Sequence, residues 1–181
     1  MTSTIWVAIA IGSPLAGWWS NHIGQRRLPL AVCSTIGLIA SVTLLYGGPL
    51  PYPEMLLLLF LFGFSASSQV ITFGLVLDNN HDRIMGTAVG FNNMAVIAGG
   101  LLLQPLVGIC IQQTWQKHHY TYHHLPFYTL HDYRVALVSI PLCFIVGLAT
   151  ALLAIKETHC KRLPQHSDKE SKKLHNLAQT T

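Results

Sequence analysis

Apolar residues in this chain form long runs separated by short polar intervals. Such runs occupy residues 3–20, 28–47, 54–77, 86–112 and 134–155. A transmembrane α-helix needs about 20 mainly apolar residues to cross the hydrocarbon core of a bilayer. The pattern therefore predicts an all-α integral membrane bundle with five spans within residues 1–155. Residues 156–181 are polar and basic, and we expect them to form a cytoplasmic tail.

Composition excludes the class of soluble globular proteins. Hydrophobic residues make up 51% of the chain and charged residues 10%, whereas a soluble domain carries about 25% charged residues. So few charges cannot cover a globular surface, but they suit a lipid bilayer as the surroundings. The basic residues lie in the polar intervals and do not form one amphipathic face, so no nucleic-acid partner is predicted.

The distribution of basic residues predicts the orientation of the chain. There are 11 lysines and arginines, and only Lys117 and Arg134 fall on one side if the spans alternate. The remaining nine fall on the other side, which the positive-inside rule assigns to the cytoplasm. We therefore expect a multi-pass protein of the inner (plasma) membrane, with its N-terminus outside and its C-terminus in the cytoplasm.

Several uncharged polar residues lie within the predicted spans. In the third and fourth spans these candidates are Ser65, Gln69, Thr72, Asn92, Asn93 and Gln104. Polar side chains at membrane depth are costly, and they commonly mark solute pathways. They also join neighbouring helices, at about 0.6 kcal/mol per hydrogen bond. Both interpretations, a hydrated solute pathway and helix association, remain open at this point.

The sequence contains no motif for catalysis or for a cofactor. It lacks the nucleophile-elbow, zinc-protease and phosphate-loop patterns, so we predict no enzyme activity and no cofactor. A histidine-rich segment includes His118, His119, His123, His124 and His131, next to Asp132. Its spacing matches no defined metal site, so no metal is predicted there.

The stretch GWWSNHIGQRRLPL, residues 17–30, resembles the signature loop of the major facilitator superfamily. In that family a glycine is followed by an acidic residue, a basic residue, a second glycine and paired basic residues. By position, Gly17, Gly24, Arg26 and Arg27 match, and Asn21 stands where the family prefers aspartate. The resemblance implies that this loop holds the cytoplasmic side closed against the other half of a transporter.

Two further stretches carry the same resemblance. Residues 82–108 resemble a late helix of the family, with Gly-Thr-Ala at its start and a Gln-Pro pair further on. Residues 133–161 resemble the final helix and its Lys-Glu-Thr exit. Because the family is built from two repeated halves, the resemblance fits helices 2–6 or 8–12 of twelve. The degenerate loop, the Gln-Pro pair and the polar tail favour helices 8–12.

The resemblance implies transport of a small solute by a partial major facilitator fold. Alternating access needs two halves that rock around a central site, and five helices cannot supply both walls. We therefore expect a fragment that is not active alone and that requires a complementary N-terminal transporter fragment. The alternative is a stand-alone membrane interaction or assembly protein without transport activity.

Overall fold

The computed structural model describes residues 2–118, 121–122, 125–126 and 128–155, and they are predominantly helical. The α-helices are α1 (Thr2–Ile23), α2 (Arg27–Tyr46), α3 (Tyr52–Ala66), α4 (Gln69–Asn79), α5 (Met85–His118), α6 (Leu130–Leu137) and α7 (Ser139–Ala149). A 3-10 turn, Asp82–Ile84, precedes α5, and a π-helical turn, Thr150–Ala154, follows α7. Two short antiparallel strands, β1 (Thr121–Tyr122) and β2 (Leu125–Pro126), lie between α5 and α6. The predicted tail, 156–181, lies outside the described residues.

Four helical segments of the described chain are long and apolar enough to cross a membrane. They are Arg27–Tyr46, Tyr52–Asn79, Asp82–Gln116 and Leu130–Ala154. Helix α1 has 22 residues but does not reach the same hydropathy, because Trp, Gly, Ser and Pro dilute its aliphatic residues. The multi-pass helical architecture is thus confirmed, whereas the count of five spans is not.

The third predicted span contains a break close to its centre. Helix α3 ends at Ala66 and α4 begins at Gln69, and the backbone between them tightens into i to i+3 hydrogen bonds. The N–H of Ser67 donates to the carbonyl of Phe64, and that of Ser68 donates to the carbonyl of Ser65, both at 3.2 Å. A stretch of 3-10 geometry within a helix frequently marks a hinge.

Helix α3 forms the centre of the packed region. It packs against both α1 and α2, and α2 also packs against α7. Small residues permit these approaches, as expected where lipid supplies no hydrophobic drive between helices. At Gly63 an added Cβ would lie 2.6 Å from the carbonyl oxygen of Ile5 and 2.9 Å from the Cβ of Ala8. The backbones of α1 and α3 therefore meet at a position that admits no side chain.

Helix α5 is packed much less than the others. It contacts mainly α4 and α6, and none of its described side chains is buried. Around its glycines, including Gly100, the described residues leave open space within 4 Å of an added Cβ. The glycines of α5 therefore do not pack closely against a neighbouring helix in the described part of the chain.

The contrast between Gly63 and Gly100 predicts different effects of one added methyl group. We expect Gly63→Ala to lower the free energy of unfolding by about 1–3 kcal/mol, because α1 and α3 must separate. The matched control Gly100→Ala is expected to leave it unchanged or to raise it by up to about 1 kcal/mol through helix propensity. Reversible SDS titration in mixed micelles measures the free energy of unfolding of both variants. Equal losses of this free energy at the two positions would contradict the described packing.

Candidate functional site

The turn between α1 and α2 explains the second glycine of the signature loop (residues 17–30). Gly24 has a φ of 67°, a left-handed conformation that other residues rarely adopt. Its N–H donates to the carbonyl of Asn21, and the next N–H, of Gln25, donates to the carbonyl of Ser20, both at 3.3 Å. This pair of bonds is the Schellman motif that ends many helices. The chain therefore reverses within four residues and brings Arg26 back over the end of α1.

Arg26 forms a buried ion pair with Asp78 at the end of α4. The distance from Arg26 Nε to Asp78 Oδ2 is 2.9 Å, and the two residues are 8% and 5% exposed. Arg26 Nη1 also donates to Asn21 Oδ1 at 2.8 Å and to Ser20 Oγ at 3.2 Å. One guanidinium thus joins the last turn of α1, the start of α2 and the end of α4.

The surroundings of Arg26 match the requirements of a buried charge. Ser20 is fully buried, and its hydroxyl donates to the carbonyl of Gln25 at 2.8 Å. The guanidinium lies close over Gly74, where an added Cβ would be 3.0 Å from Arg26 Cζ. Buried ion pairs persist when further hydrogen bonds satisfy the remaining donors, and Ser20 and Asn21 supply them here.

Asp78 is the member of this ion pair that no motif in the sequence indicates. It lies one residue beyond the third predicted span, 54–77, at the same end of the bundle as the signature loop. The side chain of Asn21 makes a polar contact with Arg26, and Asp78 supplies the negative charge that pairs with the guanidinium. In the sequence, Asp78 is recognisable as an acidic residue that directly follows an apolar span, on the side of the membrane where most of the arginines lie.

Arg27 makes a different contact from its neighbour Arg26. Its Nη2 donates to the carbonyl of Leu152 in the π-helical turn. The last carbonyls of a helix have no partner within the helix, and Arg27 supplies one. At the opposite end of α2, Arg134 Nε donates to the carbonyl of Leu45 at 2.7 Å. Two arginines therefore fasten both ends of α2 to the segment Leu130–Ala154.

The candidate pathway residues of the third predicted span occupy different environments. Ser65 is buried, donates to the carbonyl of Phe62 at 2.7 Å and packs against α2, where an added Cβ at Gly37 would be 2.6 Å from Ser65 Oγ. Thr72 is half-buried and donates to the carbonyl of Gln69 at 2.7 Å. The Gln69 side chain is exposed at the start of α4.

The other three candidates lie on α5. Asn92 is half-buried, and its Nδ2 is buried without a hydrogen-bond partner among the described residues. Asn93 and Gln104 are exposed. Helix α4 packs against α5, but no hydrogen bond within the described residues joins the two groups of candidates. The six residues therefore lie on two adjacent segments and do not form a closed binding site.

The histidine-rich segment lies partly outside the described residues, including His119, His123 and His124. In the described part, no group of three metal-ligating side chains comes together. Asp132 instead caps α6: its Oδ2 accepts hydrogen bonds from Thr129 N at 2.8 Å and from Thr129 Oγ1 at 2.9 Å. This capping box gives the carboxylate a structural role.

These features define the chain as a multi-pass helical membrane protein whose signature loop is tied to the end of a neighbouring span. The comparison with protein families identifies it further: the model of the Major Facilitator Superfamily matches residues 1–178. The chain belongs to this superfamily of transporters, as its signature loop predicted. Neither a curated protein sequence nor a solved structure matches it.

The buried pair predicts strong energetic coupling between Arg26 and Asp78. We expect Arg26→Gln or Asp78→Asn alone to lower the free energy of unfolding by about 3–5 kcal/mol, because each leaves a buried charge unpaired. The double variant should lose at least about 1 kcal/mol less than the sum of the two. SDS titration of all four proteins measures this coupling, and additive losses would contradict it. Glu54→Gln, at an exposed acid in the first turn of α3, is the control and should change stability by less than about 1 kcal/mol.

Proposed function

We propose that this chain is part of a secondary transporter of the major facilitator type that moves a small solute across the plasma membrane. The observation that carries the proposal is the break between α3 and α4 near the centre of the third predicted span. Transporter sites are typically formed by discontinuous helices near the bilayer midplane. Polar residues cluster at this break, from Ser65 to Gln69, and Thr72 follows one turn later.

The signature loop has the features of a conformational latch in this proposal. Arg26 and Asp78 join α1, α2 and α4 at one end of the bundle, and the positive-inside rule assigns that end to the cytoplasm. Discrete ion-pair networks supply the alternative arrangements that a two-state transition needs. Opening that separates α4 from the loop would break the pair, and closure would restore it.

We further propose that the chain represents helices 8–12 and does not transport alone. The main support is α5, which carries Asn93 and Gln104 on exposed positions of a long apolar helix. Amides that face lipid are unfavourable, and the open space that the described residues leave around the glycines of α5 permits close approach of another helix. A complementary N-terminal fragment that packs on α5 would cover both features and supply the second wall of the pathway.

Thiol accessibility tests the hydrated pathway without knowledge of the solute. In a chain whose four cysteines are replaced by alanine, we introduce Gln69→Cys or Asn93→Cys and express each in native membranes. A membrane-impermeant thiol reagent should modify them at least about tenfold faster than Leu101→Cys, because thiolate formation requires water. Leu101 is 71% exposed on the same apolar helix as Asn93. Modification rates equal to that of Leu101→Cys would indicate that Gln69 and Asn93 serve helix association instead.

The composition of the native complex tests the fragment hypothesis. We expect the tagged chain, extracted from native membranes in mild detergent, to co-purify with a membrane protein of about seven spans, read by the 20-residue criterion. Such spans should also be encoded near or directly upstream of this chain. Stable self-association without a partner and without solute flux would instead favour the membrane assembly protein.

A further inference from the structure

One side of α1 carries a row of buried small residues. They lie four positions apart and are called the α1 ridge: Ala8, Gly12, Ala16 and Ser20. Residues four positions apart are neighbours on the surface of a helix, so the row runs along one side of α1. It extends for about 18 Å, from the close approach of Gly63 to the end of α1 that carries the signature loop.

The α1 ridge faces both segments of the broken third span. Helix α1 packs against α3 and also contacts α4. At the second position of the ridge, an added Cβ on Gly12 would lie 2.9 Å from Cδ2 of Phe64 in α3. At the third position, Ala16 belongs to the same buried cluster as Ile71 of α4. The ridge therefore passes the break, with α3 on one side of it and α4 on the other.

The break itself is seated on the second residue of the ridge. Ser67 is 1% exposed, and an added Cβ on Gly12 would overlap its hydroxyl and lie 3.1 Å from its Cβ. The hydroxyl donates to the carbonyl of Phe64, which also accepts the N–H of Ser67. The hydrogen bonds that form the break thus lie directly against α1, and a displacement of α1 at Gly12 would shift them.

The fourth residue of the ridge is connected to the opposite end of α4. Ser20 Oγ accepts a hydrogen bond from Arg26 Nη1 at 3.2 Å, and Arg26 pairs with Asp78 at the end of α4. Helix α4 has 11 residues and therefore a length of about 16 Å. Its start rests on the ridge near Gly12, and its end is joined to the ridge through Arg26. A rigid helix held in this way transmits a displacement from one end to the other.

We propose that the break at Ser67–Ser68 and the Arg26–Asp78 pair form one two-state element, coupled by the α1 ridge. Helix α4 moves in it as a rigid arm, so release of the ion pair relaxes the break, and bending at the break weakens the ion pair. Packed interfaces change between discrete arrangements and do not deform continuously. The proposal deepens the proposed function, since it rests on the latch described there and links that latch to the centre of the third span.

Hydrogen exchange of backbone amides tests the coupling from the ion pair to the break. Mass spectrometry measures it on the full chain in lipid nanodiscs. Asp78→Asn should speed exchange at residues 64–70 at least about threefold. Exchange in the middle of α4, residues 72–76, should stay within about 1.5-fold, because a rigid arm moves without unfolding. Fraying from position 78 would instead give the largest change at the end of α4 and a smaller one toward the break.

Gly12→Ala tests the coupling in the reverse direction, which thermodynamic linkage requires. Exchange of the Gly24 and Gln25 N–H groups should rise at least about threefold, although they lie about 18 Å away along α1. Gly12→Ala combined with Ser67→Gly should restore it to within about twofold, because the second change removes the atoms that the added methyl group overlaps. This rescue distinguishes coupling through Ser67 from general damage to α1.

Two controls report effects that do not pass through the ridge. Arg134→Gln removes the arginine that fastens the other end of α2, and it should leave exchange at the break within about 1.5-fold. Exchange of α2 between Thr35 and Ser41 is the internal reference for a general loss of stability. This reference should not change in Asp78→Asn or in Gly12→Ala.

Three results would overturn the proposal. A change confined to the altered end of α4 in each variant would show two independent sites. An equal rise in the α2 reference would assign the effect to a general loss of stability. Failure of the Ser67→Gly rescue would show that the ridge does not act through this serine. Each result leaves the pathway test at Gln69 and Asn93 standing, because thiol modification there measures the access of water and not exchange along α4.

Discussion

The buried pair of Arg26 and Asp78 is the interaction on which one end of the bundle depends. A guanidinium and a carboxylate are both expensive to remove from water, so each is tolerated in the interior only in the presence of the other. The Schellman turn at Gly24 positions the arginine, and the end of α4 positions the aspartate. Three helices are thereby held in one arrangement by a contact between residues 52 positions apart. Arg26 also donates a hydrogen bond to the amide oxygen of Asn21, which stands where the family prefers a carboxylate.

The ends of α2 follow the same physical requirement. Backbone carbonyls at helix ends need donors, and in a chain with few charges the arginines supply them. Arg27 and Arg134 each donate to a carbonyl of another segment, so both fasten α2 to the Leu130–Ala154 segment. Arg27 and Arg134 therefore have defined structural roles in addition to the orientation that their positions predict.

Polar residues within the spans were the least predictable part of the candidate site. Serine and threonine hydroxyls in these helices donate to carbonyls three or four residues earlier, as at Ser13, Thr35 and Thr43. Ser65 and Thr72 do the same, so a hydroxyl in an apolar span is satisfied locally and does not by itself indicate a solute pathway. Amide side chains are more informative, because Asn93 and Gln104 remain on exposed positions of α5.

The sequence alone determined the membrane class, the approximate helical segments and the family. Long apolar runs, few charges and one glycine-spaced loop suffice for these, since hydropathy and turn chemistry are local properties. Only the tertiary structure decided which charges pair, because Asp78 and Arg26 are distant in sequence and meet through helix packing. It also located the break at Ser67 and Ser68. There, within one apolar run, side-chain hydroxyls and backbone N–H groups compete for the same carbonyl oxygens. The packing of small residues depended on partners too. Gly63 meets α1 closely, whereas the described residues leave open space around Gly100, although both glycines lie in similar apolar sequence.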